Sequence, residues 1–302
     1  YVGAAEGGLD RAALRRLLPP GHQAFVDDIL QRFGVPDLPE GERPRGMSMN
    51  VSPAGYEPLL DIAFAHPIRL IASALGPPPA DVIDRARAAN VKVAALAGTT
   101  AHAVKHAEAG ADIIVAQGSE AGGHTGEVGT MVLVPEVVDA VSPVPVLAAG
   151  GIASGRHMAA AMALGAAGIW TGSVWLTTAE AETEPVVKQK FLAATSSDTV
   201  RSRSITGKPA RMLRTPWTDE WEREDSPKPL PMPLQPLLVG AALNRINRSA
   251  TTRGSGAHEL ATYFVGQVVG SINTVRPADR VVLQIVEEFI DTLTALSGHL
   301  DV

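Results

Sequence analysis

The sequence predicts an α/β protein of the (β/α)8 TIM-barrel type with a mainly helical C-terminal extension, and three observations carry that prediction. First, five short and almost wholly apolar runs occur at Ile68–Leu75, Val91–Ala97, Ala111–Ala116, Val144–Ala149 and Ala167–Val174. Unbroken apolarity over such a length means burial on both faces, as in parallel strands covered by helices. Second, the intervening segments Ala80–Ala89, Ala101–Ala109, Leu133–Val141 and Gly155–Leu164 have helical length and composition, so strand and helix alternate with the period of one β/α unit. Third, chemically suggestive residues follow several successive strands, at Thr99-Thr100, Gln117 to His124, Gly150-Gly151 and Gly172-Ser173, where they would line one common C-terminal face. A dinucleotide-binding sheet would instead concentrate its glycines after the first strand, and no Gly-x-Gly-x-x-Gly opens a helix here.

Ahead of the repeat, helical patterns around Leu9–Leu17 and Gln23–Phe33 are separated by the breaker Pro19-Pro20-Gly21, and Pro36–Met47 reads as an irregular loop. Behind it come a helix near Glu184–Ala194, the basic stretch Arg201–Arg214, and the Pro-rich irregular segment Ser226–Pro236. Helical periodicity returns at Leu237–Asn247, Glu259–Ser271 and Ala278–Leu296. The expected organisation is therefore a barrel portion over 1–178, with 1–67 as an irregular and helical lead-in, and a mainly helical extension over 179–302 that packs on the barrel. A barrel needs eight strands and five are readable. The early strands are expected upstream of Tyr1, where the chain starts without Met, or outside the readable pattern.

Composition narrows the chemistry. The 302 residues include no cysteine, which removes thiolate nucleophiles, disulfides, iron–sulfur clusters and thiolate zinc sites together. Redox chemistry would then ride on a bound cofactor. The net charge is −6 without a dense Lys/Arg block, so no nucleic-acid partner is expected. No run of apolar residues is long enough to span a bilayer and the first thirty residues do not read as a secretion signal, so a cytoplasmic protein with no membrane partner is expected. His102 and His106 share a helix-face spacing that can hold a metal, but no third ligand is evident, and no metal is expected.

The sharpest local feature is Ala116-Gln117-Gly118-Ser119-Glu120-Ala121-Gly122-Gly123-His124-Thr125-Gly126, directly after a buried strand. Its glycines let the backbone approach a flat ligand and expose N–H donors. Gln117 offers a donor and an acceptor to a heterocycle edge, and His124 can exchange a proton near neutral pH. A second feature, Pro145 to Ala149 followed by Gly150-Gly151-Ile152-Ala153-Ser154-Gly155, runs a strand into Gly-Gly and a helix start, where free N–H groups and the helix dipole form an anion site. A third, Ile169-Trp170-Thr171-Gly172-Ser173, ends the next strand. Phosphate binding between the last two strand-end loops is the barrel rule.

These three loops, in this order and spacing, resemble the nitronate monooxygenase family, formerly called 2-nitropropane dioxygenases, and its relatives the FMN-dependent enoyl-ACP reductases. The resemblance covers roughly Ile68–Leu176, with a weaker match around Tyr263–Gly270. It implies an FMN-binding TIM barrel in which Gln117, Gly122 and Gly123 lie along the flavin ring, with Gly118 and Ala149 also binding the cofactor. Gly151, Trp170, Thr171, Gly172 and Ser173 would then hold the phosphate with Gly150 adjoining, and His124 would be the catalytic proton carrier. The sequence departs from the family at the end of the first readable strand, where Ala74-Leu75-Gly76-Pro77 stands in place of an aromatic or histidine substrate residue.

The expected function is FMN-dependent oxidation of a small-molecule alkyl nitronate with O2. One alternative is an NAD(P)H-dependent reductase acting on an enoyl thioester or a quinone. A non-redox barrel binding a phosphate-bearing ligand is another. Oligomer formation is compatible with all three. The basic residues Arg201, Arg203, Lys208, Arg211 and Arg214 are candidates for contact with a CoA or NADPH phosphate, with a solvated face as the commoner case and the expected one. Trp217, Trp221, Met232 and Gln235 are candidates either for a lid or for packing of the extension, and Gly266-Gln267 is read as helix packing.

Overall fold

The computed structural model describes residues 11–38, 53–74 and 76–299. In chain order the elements are α1 (Arg11–Arg16), α2 (Pro20–Arg32), α3 (Pro53–Phe64), β1 (Leu70–Ser73), α4 (Ala80–Ala88), β2 (Lys92–Ala97), α5 (Thr100–Glu108) and β3 (Ile113–Gln117). They continue with β4 (Gly123–His124), α6 (Thr130–Val141), β5 (Val146–Ala149), α7 (Gly155–Ala163), β6 (Gly168–Trp170), α8 (Pro185–Ala193), β7 (Thr199–Ser202) and β8 (Ala210–Leu213). The chain then forms α9 (Pro216–Trp221), α10 (Leu234–Ser249), α11 (Gly256–Leu260) and α12 (Ala278–Ser297).

All five expected parallel strands are present. They join in the order β1-β2-β3-β5-β6, each parallel to its neighbours, so every β/α unit adds to the same edge. A doubly wound sheet would reverse direction once, so this order is that of a barrel wall. One face of the wall packs against the helices through Ala95, Ala97, Ile114, Ala116, Leu133, Val137 and Ala148. The other carries Ala94, Val115 and Ala149 with Leu96, Leu147 and Trp170 packed on them. Burial on both faces is what the unbroken apolar runs require, and each large aliphatic side chain so buried stabilises by about 1.5–3 kcal/mol. Among the described residues the sheet has edges at β1 and β6. The earlier strands of a closed barrel are not among them.

The second part of the molecule is less helical than its composition suggested. β7 and β8 form an antiparallel hairpin, and β8 pairs in turn with β4, so the short strand carrying His124 belongs to a three-stranded sheet built mostly by the extension. The stretch read as one helix over Glu259–Ser271 is instead α11, an extended segment with an isolated bridge between Phe264 and Met212, and a 3-10 turn at Gln267–Ser271. The Pro-rich stretch is irregular only up to Pro233, where α10 begins.

A second core cluster joins the extension, α2 and part of the barrel portion, Val174 and Ile169 among its members. Val26, Ile29 and Leu30 pack with Phe191, Trp217, Trp221, Leu238, Val239 and Ile246. The lead-in assigned from sequence to the barrel portion therefore contributes α2 to this core, because its one apolar stripe meets α10 there. Trp217, Trp221 and Gln235 are interior as well. Gln235 is fully buried, donating through Nε2 to Ser204 O at 2.8 Å and accepting from Leu230 N at 2.9 Å. Packing accounts for these three, and a lid role does not. At the far end, α12 returns to the wall and lies along α7.

Candidate active site

The expected site residues come together at the C-terminal ends of neighbouring strands. Gln117 ends β3 and is register partner of Ala149, which ends β5 and is register partner of Trp170 at the end of β6. Gly118 N donates to Ala149 O at 2.9 Å, tying two of the loops at their base.

Within this rim the glycines divide into two kinds. Some are small because the protein itself fills the space. A Cβ on Gly118 would meet the Thr130 hydroxyl and backbone, and one on Gly122 would lie 2.8 Å from Gly266 N and from Val265 C. Gly150, at φ +100°, is held against Thr130 and Gly118. Ala149 is buried in the wall. These four are packed by the protein on their side-chain side.

The other glycines face open space. No atom lies within 4 Å of a Cβ position on Gly123, at φ +77°, or on Gly172. Gly151 has φ +68° and only the Glu120 side chain nearby, at 3.3 Å. Among the described residues the N–H groups of Gly151 and Gly172 have no acceptor. Two donors without a protein acceptor thus stand just past the ends of the neighbouring strands β5 and β6, with open space at Gly172. The Gln117 side-chain amide likewise has no protein partner among the described residues.

The helix end predicted to bind the anion is already occupied by the protein. Glu288 on α12 accepts from Gly155 N at 3.0 Å, and Ser154 Oγ accepts from His157 N at 3.4 Å, so the first turn of α7 has an internal carboxylate and cap in place of a ligand. A cleft of about 330 Å3 at this helix end, lined in part by Ser154, His157, Arg276 and Glu288, contains none of Gln117, His124 or Gly172. Anion capacity on the rim thus rests with the strand-end loops.

The loop between β3 and α6 is held firmly. Both carboxylate oxygens of Glu120 accept from Thr130 N at 3.0 Å, and one also accepts from Thr130 Oγ1 at 3.0 Å, capping α6 from within the loop. Glu120 O accepts from Gln267 N at 2.9 Å, and Ser173 Oγ accepts from Gly266 N at 2.8 Å. Gly266 is thus wedged between Gly122 and Ser173 and locks the rim. Its sequence signal was a helix-compatible glycine, which concealed a contact made across more than a hundred residues.

His124 is half-buried, and its Nε2 lies 2.9 Å from Thr206 Oγ1. The Thr206 hydroxyl donates to Lys208 O at 3.1 Å and accepts from Lys208 N at 3.4 Å. The hydroxyl has one hydrogen for His124 Nε2 and Lys208 O, and so links the imidazole to the Lys208 backbone. Burial, reinforced by the nearby Lys208 charge, lowers the His124 pKa below its ordinary 6.5. Phe264 stands beside the ring at 6.3 Å between centroids.

The other expectations sort as follows. His106 is a core histidine on α5, its Nε2–H donating to Leu96 O at 3.0 Å, with burial lowering its pKa. His102 is exposed, and no cluster able to hold a metal occurs among the described residues. Arg203, Lys208 and Arg214 are exposed as expected, but Arg211 is buried and Arg201 half-buried, so the basic stretch is not a uniform solvated face. No helix among the described residues is long and apolar enough to cross a membrane.

Residues 41–288 match the nitronate monooxygenase family. A Mycobacterium tuberculosis protein named as a monooxygenase is 67% identical over 299 residues, covering 99% of this chain and 80% of that protein. A Bacillus subtilis protein named as a nitronate monooxygenase is 32% identical, covering 76% of this chain and 67% of its own length. A Rhodococcus jostii dehydrogenase of a hydroxy-methyl-oxo-octahydroindene carboxyl-CoA is 38% identical over 70% of this chain and 57% of its own. Among solved structures, FabK from Thermotoga maritima aligns with a TM-score of 0.68 and 34% identity, over 82% of this chain and 76% of that one. Nitroalkane oxidase from Streptomyces ansochromogenes aligns with a TM-score of 0.77 and 25% identity, over 94% and 78%.

Proposed function

This chain belongs to the nitronate monooxygenase family and is an oxidoreductase, and from that premise we propose that it binds FMN and oxidises alkyl nitronates with O2. The observation that carries this reading is the pair of acceptor-less N–H groups of Gly151 and Gly172, on the same rim as His124, whose pKa burial lowers. In this reading those two N–H groups hold the cofactor phosphate, with Thr171 and Ser173 on either side of Gly172. The open space at Gly123 admits the ring, and the Gln117 amide serves its edge. When bound, FMN supplies the two-electron acceptor that a chain without cysteine lacks.

The protein's own task is then positioning and proton transfer. A carbon acid or its nitronate lies between the rim and His124. The His124 imidazole takes or returns the proton at the substrate carbon, while Thr206 fixes the direction of the ring. Phe264, packed beside the imidazole, excludes water from one side of it.

A second reading on the same fold is electron delivery from NAD(P)H to a thioester, favoured by the 38% identity to a carboxyl-CoA dehydrogenase and the 34% identity to FabK. Anaerobic titration separates the two. Flavin bleaching by an alkyl nitronate and not by NADPH is the expected result, and the reverse would overturn it. Protein that stays colourless after incubation with FMN would favour a non-redox phosphate-binding barrel over both.

A further inference from the structure

Arg201 and Arg211 are register partners on β7 and β8, and Arg211 is in turn register partner of Gly123 on β4. Three adjacent strands thus place two guanidinium groups and an open glycine in one row on one face, while His124, register partner of Ala210, belongs to the other face. Register partners in an antiparallel pair point to the same face with Cβ atoms roughly 5 Å apart, where like charges destabilise each other. The sequence keeps two arginines in that arrangement.

Among the described residues no close ion pair neutralises them. Glu127 is the ion-pair partner of Arg201, at 3.9 Å with its side chain 88% exposed. Such a contact contributes little. Among the described residues Arg211 has no ion-pair partner, and the nearby Glu120 carboxylate is engaged by Thr130. Each guanidinium carries five donors. Those recorded for the pair reach only Ser119 O at 2.9 Å, Thr199 Oγ1 at 3.1 Å and, at 3.5 Å, Thr125 O. Arg201 Nε and the adjacent Thr125 hydroxyl are buried with no partner at all. The Arg201 side chain as a whole keeps 25% exposure, so the cluster is reachable from solvent.

We infer that Arg201 and Arg211, with the Thr125 hydroxyl, form a receptor for a phosphate monoester carried by the substrate or co-substrate. Two uncompensated positive charges call for a dianion, and a phosphate monoester carries about −1.5 to −2 at pH 7. Paired guanidinium forks bind its oxygens bidentately. A ligand anchored there extends along the row to the open space at Gly123. This goes beyond the proposed function, because it assigns a second phosphate site apart from the cradle at Gly151 and Gly172. Two common redox ligands bear such a group on an adenosine ribose, coenzyme A thioesters and NADPH, and the matched compounds lacking it are dephospho-coenzyme A and NADH.

The test measures binding of these four compounds to the FMN-loaded protein by titration calorimetry. The expected result is at least tenfold tighter binding of one phosphorylated member than of its partner, erased in Arg201→Gln while flavin absorbance and folding persist. Arg201→Lys, which keeps charge but loses the fork, is expected to retain only part of the preference. Equal affinities within both pairs in the wild-type protein would overturn the inference. A preference untouched in both variants would do the same, as would loss of flavin in place of the preference, which would assign the arginines to the cofactor. Flavin absorbance of the wild-type protein tests the proposed function separately.

Discussion

The Glu288 carboxylate on α12 accepts the N–H of Gly155, the first residue of α7, across 133 positions of sequence. The contact is possible because Gly155 has no side chain. A Cβ there would collide with Ile285 O and Phe289 N on the facing helix. Gly155→Ala is therefore expected to destabilise by about 2–3 kcal/mol through overpacking, read as a lowered urea midpoint. Glu288→Gln keeps an acceptor and should cost well under half as much, whereas an equal loss in the two variants would detach the effect from helix contact.

Gly172 provides the converse case. Its φ is −124° and nothing occupies the space a side chain would enter, so Gly172→Val should fold normally. It should nevertheless weaken FMN binding at least tenfold, because the new side chain fills the phosphate cradle. Absorbance after gel filtration and a thermal melt check the two halves. Full flavin retention in the variant would remove Gly172 from the cofactor site.

The His124 pKa lies below 6.5 because burial, and then the Lys208 charge, disfavour the imidazolium. A base active in its neutral form keeps its activity as pH falls below 6.5, and loses it only through the lower folded value. The acid limb of kcat/KM should accordingly fall below pH 6.5, and Lys208→Met should move it upward. His124→Ala should lower kcat/KM by about 100-fold or more, with flavin retained. The stability sign is the same. Between the folded and unfolded values the unfolded chain binds more protons, so acidification through that window costs stability.

Gln235 is fully buried and bonds at both ends of its amide, to Ser204 O and Leu230 N. Gln235→Leu keeps the volume but strands both partners, and about 2–3 kcal/mol should be lost. Equilibrium unfolding measures it. A smaller loss than that of a surface substitution would mean that the hairpin and the Pro-rich segment do not depend on this bridge.

The barrel wall was legible because its signals are local. An unbroken apolar run such as Val91–Ala97 carries its double burial in its own composition, and Gly150-Gly151 announces a turn with φ values that only glycine adopts readily. The extension was legible in its helices but not in its sheet. Thr199–Ser202 and Ala210–Leu213 are four residues each, too short to display a period, and β4 is two residues beginning with glycine. The pairing of β4 with β8 joins residues nearly ninety positions apart, which no window of sequence contains. The same reason hides Gly266 behind Gly122 and Glu288 in front of α7. At the site, what could be read was which residues reach the rim. Which glycines face the ligand and which face the protein depends on neighbours supplied from the far end of the chain.

The two-residue strand holding His124 takes its register from Ala210 and Arg211. The proposed base is thus hung on a piece of chain that the barrel does not own. A lineage that recast its extension to admit a new substrate would have been moving its proton carrier in the same stroke, so substrate range and proton chemistry in such a protein are inherited as one trait.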